Sequence, residues 1–404
     1  MTALIVPRRA TRSLNRFPLS QVRAGMLATL LYVFGPVSLY FATARAFAGD
    51  DIATSGFVVA FGTSAATTAV LSAWHRQPVA MGWSLPGLVF MAASARTYPV
   101  EQIAGAALVA SLVVLALAAT GVSARVERMV PVPVAMAMLA GSTLPLCARP
   151  FAAMSHAPLV VAPVVATFVL ASRSKRLSMP PAGIAVLAGL LPALLLGPRV
   201  HGAMPGAVPD VRALMPTLSF RATVSLAPPL TLFALIANAQ GRAVLQANGF
   251  EPPMRHIGIA SGLSGAFHSL FGAPPSSLQR VAMAVLSDDG AGEHGGRWIA
   301  AVSAAACCLV IAWFSVPLEV FTGSLDPAYV SAVSGVLLLK VFSDALGRSV
   351  DGRTLAGPLT LCVALSGLTL GGLSTEFWAL VIGCGVAFAE RNAETTTPAL
   401  RPAS

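Results

Sequence analysis

The sequence predicts an all-α polytopic membrane protein, and its composition, the length of its apolar runs and an internal repeat all lead to this class. Apolar residues make up 56% of the 404 residues and charged residues only 10%, whereas a soluble domain has about 25% charged residues. The mean hydropathy is +0.76. Side chains this apolar cannot cover a soluble surface, and in lipid the backbone must satisfy its hydrogen bonds within helices.

Apolar stretches of about 17–25 residues mark the expected membrane spans. We predict fourteen transmembrane segments, of which segments three and ten are short: 23–46, 53–74, 78–95, 101–122, 129–148, 157–172, 180–198, 224–246, 256–271, 274–287, 297–320, 327–345, 355–373 and 375–390. A count of twelve, with segments three and ten re-entrant, fits the same pattern.

The basic residues lie where the positive-inside rule places them. With the N-terminus in the cytoplasm, 18 of the 26 basic residues fall inside and 6 fall outside. We therefore predict a plasma membrane (bacterial inner membrane) protein with both termini cytoplasmic and the lipid bilayer as its surroundings. The net charge is +10. The basic residues lie between the apolar runs and do not cluster on one face, which argues against a nucleic acid partner.

The chain divides into two halves of seven segments. We predict a cytoplasmic N-terminal segment (1–22), a first repeat (23–198), an external linker (199–223), a second repeat (224–390) and a cytoplasmic tail (391–404). Because seven is odd, the halves run in opposite directions through the bilayer. The third segment of each half starts with Pro, Gly and Ser, in QPVAMGWSLPG and FGAPPSSLQR. Interrupted segments at corresponding positions indicate the binding site of a transporter.

Proline explains how these two segments are interrupted. It prevents a continuous helix and suits the first turn of a new one. We predict an extended stretch at 271–274 followed by a half-helix at 275–286, and an extended stretch at 77–83 followed by a half-helix at 85–93. The two half-helix N-termini would face each other near the midplane and offer N–H donors to an anion.

Segment eight, PPLTLFALIANAQGRAVLQANGFEPP, and segment three resemble the benzoate:proton symporter (BenE-type) family. The matching residues of segment eight are Asn238, Gly241, Val244, Leu245, Gly249 and Phe250. The resemblance covers about 25–390 and implies the seven-plus-seven inverted repeat shared with nucleobase and sulfate-type transporters. It also implies a core domain (spans 1–4 and 8–11) that moves against a gate domain (spans 5–7 and 12–14), and a short strand at the start of segments three and ten. Segment ten departs from the family because GAPPSSLQR lacks a Gly-rich, Asn-containing run.

Two amides of segment eight, Asn238 and Gln240, are candidates for substrate binding. In the nucleobase relatives, the position of Asn238 is typically a glutamate, and an amide there does not repel an anion. The alternative for Asn238 is an interhelical hydrogen bond, which is common for Asn in membranes.

Segment ten supplies Ser276, Ser277, Gln279 and Arg280 as further substrate-binding candidates. The two serines are predicted to cap the half-helix, a role compatible with substrate contact. Arg280 shares a face with both serines, and an arginine inside a membrane marks a pathway. It either binds a carboxylate through two parallel hydrogen bonds or extends to the cytoplasmic end of the helix.

Gly82, Trp83 and Ser84 surround the other half-helix start, and Tyr40 of segment one is predicted to line the same cavity. Trp83 either stacks on an aromatic ring or packs in the interior. Acidic residues are missing from the middle of segments one, three, eight and ten. His268 is therefore the candidate for proton coupling, with a purely structural histidine as the alternative.

The sequence thus predicts a secondary active transporter of a small organic anion, with benzoate or a related aromatic carboxylate as substrate, by proton symport and alternating access. An anion uniporter or channel of the same fold and a nucleobase carrier are the alternatives. No metal or cofactor is predicted, and no nucleophile–base pair at a useful spacing suggests an enzyme. Whether the protein forms a homodimer is left open.

Overall fold

The computed structural model describes residues 18–32, 36–123, 125, 131–173, 181–196, 210–350, 354–371 and 373–396. Parts of all five predicted units lie outside these residues, most extensively 1–17 of the N-terminal segment, 199–209 of the external linker and 397–404 of the tail. The boundaries of those units therefore stay predictions.

The described part of the first half consists of eight helices and one strand. They are α1 (Leu19–Tyr32), α2 (Ser38–Ala48), α3 (Asp50–His75), β1 (Met81–Trp83), α4 (Leu85–Ser94), α5 (Val100–Thr120), α6 (Val132–Met154), α7 (Pro158–Arg173) and α8 (Pro181–Leu196). The first predicted span is divided between α1 and α2.

The described part of the second half has a similar order, with two helices before its strand instead of three and six after it instead of five. Its elements are α9 (Phe220–Ala247), α10 (Met254–Ser269), β2 (Ser276–Leu278), α11 (Arg280–Leu286), α12 (Arg297–Trp313), α13 (Ser315–Gly323), α14 (Pro327–Ser349), α15 (Ala356–Ser366) and α16 (Thr375–Thr396). Two short 3₁₀ turns, Asp289–Ala291 and His294–Gly296, precede α12. Every predicted span coincides with one of these elements or with a consecutive pair of them.

Six helical stretches of the described chain are long and apolar enough to cross a membrane by themselves: Asp51–His75, Val100–Thr120, Val132–Met154, Phe220–Ala247, His294–Trp313 and Pro327–Ser349. The remaining predicted spans do not meet these criteria, and most of them are shorter or broken, so the number fourteen stays a prediction.

The two short strands pair with each other in the interior. They run antiparallel, with Met81 opposite Leu278, Gly82 opposite Ser277 and Trp83 opposite Ser276. Two backbone hydrogen bonds extend the pair: the Ser84 N–H donates to the Pro275 carbonyl at 2.7 Å and the Gln279 N–H to the Ala80 carbonyl at 2.9 Å. The predicted strand at the start of segments three and ten is thus observed in both.

The predicted start of the second half-helix is wrong. The helix begins at Arg280, not at residue 275, because residues 276–278 form the strand that pairs with β1. The pairing gives their backbone groups partners that a helix would otherwise supply. In segment three the prediction was close, since α4 begins at Leu85.

The helices pack in two groups that mix the halves of the chain. In the first group α5 contacts α9 and α10, while α12 contacts α1 and α3; in the second group α6 contacts α14 and α15, and α7 contacts α8. Small residues let the helices approach closely, as is usual in membranes: a Cβ on Gly258 of α10 would lie 2.6 Å from the Cβ of Ala118 on α5. The groups correspond to the predicted core and gate domains, and they meet where α4 contacts α6 and α2 contacts α14.

Candidate functional site

A cavity lies between the two helix groups, beside the strand pair, and we call it the front cavity. Its empty volume is about 720 Å³, a value that includes the part open to solvent. The first group lines it with Leu85, Pro86, Ala237, Gln240 and residues 277–281, and the second group with Met136, Leu139, Val341, Asp344, Ala345 and Arg348.

The front cavity carries more positive than negative charge. Among its described lining residues, Arg280 and Arg348 are basic and Asp344 is acidic. Arg280 Nη2 lies 3.7 Å from Asp344 Oδ2, and Lys340 Nζ lies 3.8 Å from Asp344 Oδ1. The Arg280 side chain is 35% exposed, so it lies in the wall of the cavity, where its ion pair joins α11 of the first helix group to α14 of the second.

The helix N-termini offer fewer free donors than predicted. In the first turn of α4 the Gly87 N–H donates to Ser84 Oγ at 3.1 Å, and Pro86 has no N–H to give. Ser84 therefore acts as the helix cap. The seven-residue helix α11, by contrast, has no side-chain cap. Its first residue is Arg280, so at this end of the front cavity an arginine side chain adds positive charge beside the helix N-terminus.

Asn238 holds the strand pair in place. Its side chain is 3% exposed. Its Oδ1 accepts a hydrogen bond from the Leu278 N–H at 2.9 Å, and its Nδ2 donates to Ser261 Oγ at 3.2 Å. These bonds link α9 to β2 and α10, which matches the alternative reading as an interhelical hydrogen bond. Gln240, two residues further along α9, lines the front cavity.

Neither serine of segment ten caps a helix, so that prediction is wrong. Both lie in β2 and are about 1% exposed. Ser276 Oγ donates to the Gly82 carbonyl at 3.2 Å, across the strand pair. Ser277 lines the front cavity, and it is the serine that remains a candidate for substrate contact.

Gln279 lies across the strand pair. Its Nε2 donates to the Trp83 carbonyl at 2.7 Å, and its side chain passes over Gly82. A Cβ on Gly82 would lie 2.4 Å from Gln279 Cγ, so the missing side chain of Gly82 makes room for the glutamine.

Trp83 and Tyr40 pack in an aromatic cluster and do not line the front cavity. Their side chains are 1% and 0% exposed, and their ring centroids lie 5.4 Å apart in an edge arrangement. Phe57 and Phe61 complete the cluster. Of the two roles predicted for Trp83, the structure shows packing in the interior.

His268 is fully buried, with 0% exposure, and does not line the front cavity. Its Nε2 lies 2.6 Å from Thr63 Oγ1 and its Nδ1 lies 2.9 Å from the Pro274 carbonyl oxygen. Both ring nitrogens are therefore engaged, and the ring fixes the chain just before β2. Within the described residues no group of three or more metal-ligating side chains is found.

Sequence reasoning missed the contribution of α14. The spacing of Lys340 and Asp344 predicts an i,i+4 ion pair, which the structure contains, but Asp344 also reaches Arg280. Arg348 follows Asp344 by one turn and lines the same cavity. This i,i+4 pair of opposite charges near the end of an apolar span is the signal that could have revealed the α14 side of the site.

Two interlocked helix groups, two interrupted helices that meet in the interior and a charged cavity between the groups define an integral, multi-pass membrane transporter. Comparison with known families agrees. The chain belongs to the benzoate membrane transport protein family, whose profile matches residues 15–389, and the resemblance inferred from the sequence is confirmed.

Two curated relatives cover nearly the whole chain. The inner membrane protein YdcO of Escherichia coli (strain K12) is 25% identical over 382 residues, which are 91% of this chain and 95% of the relative. The benzoate membrane transport protein of Acinetobacter baylyi is 24% identical over 372 residues, 90% and 93% of the two chains.

Solved transporter structures share the seven-plus-seven inverted-repeat fold. SLC26A9 matches with a TM-score of 0.65 at 14% identity, over 96% of this chain and 67% of that one. The transmembrane domain of the cyanobacterial bicarbonate transporter BicA matches with a TM-score of 0.58 at 13% identity, over 91% and 98% of the two chains. Murine Slc26a9, an anion transporter in the inward-facing state, matches with a TM-score of 0.63 at 13% identity, over 96% and 70%. These likenesses confirm the predicted fold class.

Proposed function

We propose that this protein is a secondary transporter that carries benzoate or a related aromatic carboxylate across the bacterial inner membrane, with both termini in the cytoplasm. The observation that carries the proposal is the front cavity, which combines apolar walls with two arginines and lies between two helix groups. The names of the two relatives, a benzoate membrane transport protein and an inner membrane protein, support the substrate class and the location.

The cavity divides into parts that suit the two ends of such a substrate. Arg280 would bind the carboxylate through two parallel hydrogen bonds, with Arg348 adding positive charge. Leu85, Pro86 and the apolar residues of α6 and α14 would contact the ring. Gln240 and Ser277 supply polar groups at the boundary between the two parts.

The ion pair between Arg280 and Asp344 offers a way to couple binding to movement. It joins the first helix group to the second at 3.7 Å. A substrate carboxylate that takes the place of Asp344 at Arg280 would loosen this link, so the groups would move relative to each other only when the site is occupied. This is the alternating access expected for the fold.

Asp344 is also our candidate for proton coupling, in place of His268, whose two ring nitrogens already have partners. The substrate carboxylate would displace Asp344 from Arg280, and the freed Asp344 carboxylate would be the group that receives the co-transported proton. The other charged groups near it are Lys340 and Arg348 on its own helix. Entry of one substrate anion would therefore favour uptake of one proton, which is the stoichiometry of a proton symport.

One observation favours a different mechanism with the same fold. Asp344 is the one carboxylate in the described lining of the front cavity, and Lys340 lies beside it in addition to Arg280. If Lys340 keeps Asp344 ionised after the substrate binds, no proton moves and the protein is an anion uniporter or channel. A nucleobase carrier is less favoured, because Asn238 already bonds a backbone N–H and a serine.

The test is uptake of labelled benzoate into proteoliposomes that contain the full chain, with and without an inward acid gradient. We expect accumulation that the gradient increases and that unlabelled benzoate, but not uracil or bicarbonate, suppresses. Protein-free liposomes correct for diffusion of neutral benzoic acid. Saturable uptake that ignores the gradient would support the uniporter, and the absence of saturable uptake by a folded protein would contradict the substrate.

A further inference from the structure

A second cavity lies on the other side of the strand pair, and we call it the rear cavity. Its empty volume is about 450 Å³ including its open part. Helices α1, α3 and α12 surround it, and the rings of Tyr32, Phe61 and Trp83 form part of its wall. Among the described residues that line it none is charged, so it suits an aromatic ring and not a carboxylate.

Gln279 separates the two cavities. It is the residue that lines both the front cavity and the rear cavity. Its backbone N–H bonds the Ala80 carbonyl at 2.9 Å and its Nε2 bonds the Trp83 carbonyl at 2.7 Å. These bonds hold the amide over Gly82, which is the one glycine of β1 and so leaves room for it.

The rear cavity contains polar atoms that the described protein does not use. Trp83 Nε1 and Ser64 Oγ belong to residues of its wall, are buried, and have no hydrogen-bond partner among the described residues. Buried polar atoms are nearly always hydrogen-bonded, to protein, ligand or water. These two atoms therefore need a partner from outside the described protein, and water in the rear cavity can supply it.

We propose that the rear cavity is an aromatic subsite of the transport site and that the Gln279 side chain, by separating it from the front cavity, limits the substrate to a single ring. This rests on the proposed function, because the carboxylate is taken to bind at Arg280, the next residue in the chain. Removal of the Gln279 side chain joins the two cavities. A second ring then extends from the front cavity past Gly82 towards Phe61 and Trp83.

The first experiment compares binding of benzoate and 2-naphthoate, which has a second fused ring, to the reconstituted full chain. The wild type is expected to prefer benzoate. Gln279→Ala should shift the ratio of the two affinities towards 2-naphthoate by about tenfold or more, the range that small changes in apolar pockets produce. Gln240→Ala is the matched control: it removes an amide from the front cavity alone and should leave that ratio unchanged, whatever it does to benzoate binding.

A second variant identifies where the extra ring lies. Ala65 lines the rear cavity, and Ala65→Leu in the Gln279→Ala background refills it. This double variant should lose the gain for 2-naphthoate and keep benzoate binding. If Gln279→Ala does not reconstitute, Gln279→Asn carries the same comparison with a smaller expected shift, because it shortens the side chain by one methylene. Retained benzoate binding without a shift in the ratio would overturn the proposal.

Cys308, which lines the rear cavity, gives a readout that needs no transport. Labelling by a small water-soluble methanethiosulfonate, followed by mass spectrometry, should be faster in Gln279→Ala than in the wild type and in Gln240→Ala. 2-Naphthoate should protect Cys308 in Gln279→Ala only. If neither acid binds any variant, the proposed function fails; faster labelling in Gln279→Ala would still support the partition by Gln279, and equal rates would overturn it.

Discussion

The two interrupted segments occupy equivalent places in the two halves of the chain, yet they contribute opposite chemistry to the front cavity. In segment three, Ser84 caps the ten-residue helix α4, which presents Leu85 and Pro86 to the cavity. In segment ten, the seven-residue helix α11 has no side-chain cap and begins with Arg280. The backbone repeats, but the side chains do not.

This difference shows how an inverted repeat can give one cavity an apolar end and a charged end. The pairing of β1 with β2 needs only a similar backbone path from both segments. The side chains at the junctions are then free to differ, since each lies on one side of the pair. One segment supplies apolar contact and the other supplies a positive charge to the front cavity; in the proposed function these would receive the ring and the carboxylate.

The largest effect is expected from the substitution that removes the positive charge of segment ten. Arg280→Gln should weaken benzoate binding by about 100-fold, because loss of a charged partner in a partly desolvated site costs a few kcal/mol. Equilibrium binding of labelled benzoate to purified protein measures it. Arg242→Gln is the control: Arg242 is exposed on α9 and lies outside the front cavity. An equal loss in both variants would mean that general positive charge, not Arg280, attracts the substrate.

The next effect concerns the bond that positions segment ten. Asn238→Ala should destabilise the protein by about 1–3 kcal/mol, because it leaves the buried N–H of Leu278 without its acceptor. Chemical unfolding in detergent measures the change. Ser261→Ala removes only the other partner of Asn238 and should cost less. If Asn238→Ala keeps full stability but abolishes benzoate binding, Asn238 contacts the substrate as first predicted.

A pair of serine variants compares the two segments directly. Ser84→Ala should cost about 1 kcal/mol of stability, the usual value of a helix cap, since Ser84 Oγ accepts from the Gly87 N–H. Ser277→Ala should change stability by less, because Ser277 lies in a strand and caps nothing. The same unfolding assay serves both, and equal costs would contradict the different roles given to the two serines.

The smallest effect tests the ion pair between the helix groups. Asp344→Asn should strengthen benzoate binding by up to about fivefold, because partly exposed ion pairs are worth up to about 1 kcal/mol and Asp344 no longer competes for Arg280. Uptake by this variant should also lose its dependence on an acid gradient. Binding of labelled benzoate and uptake into proteoliposomes measure the two effects. Weaker binding with unchanged gradient dependence would remove Asp344 from both roles.

The sequence alone determined the class, the family and the position of almost every helix. Long apolar runs and few charges force the chain into membrane helices, and the residues 238–250 carry the family resemblance that the match over residues 15–389 confirmed. The interruption of segments three and ten was also readable, since Pro and Gly act locally on the backbone.

Only the tertiary structure decided what the interrupted segments do. The family resemblance implied a strand at the start of segment ten, but which residues form it depends on pairing with β1, almost 200 positions earlier, and pairing over that distance leaves no local signal. For the same reason the sequence could not show the partners of Asn238 and His268, because Leu278 and Thr63 come within hydrogen-bond distance of them only in the folded chain. The ion pair between Asp344 and Arg280 could not be read from the sequence either, because only the packing of α14 against α11 brings the two side chains together. Composition and local backbone preference are properties of a stretch of chain, whereas the partner of a polar group is a property of the fold.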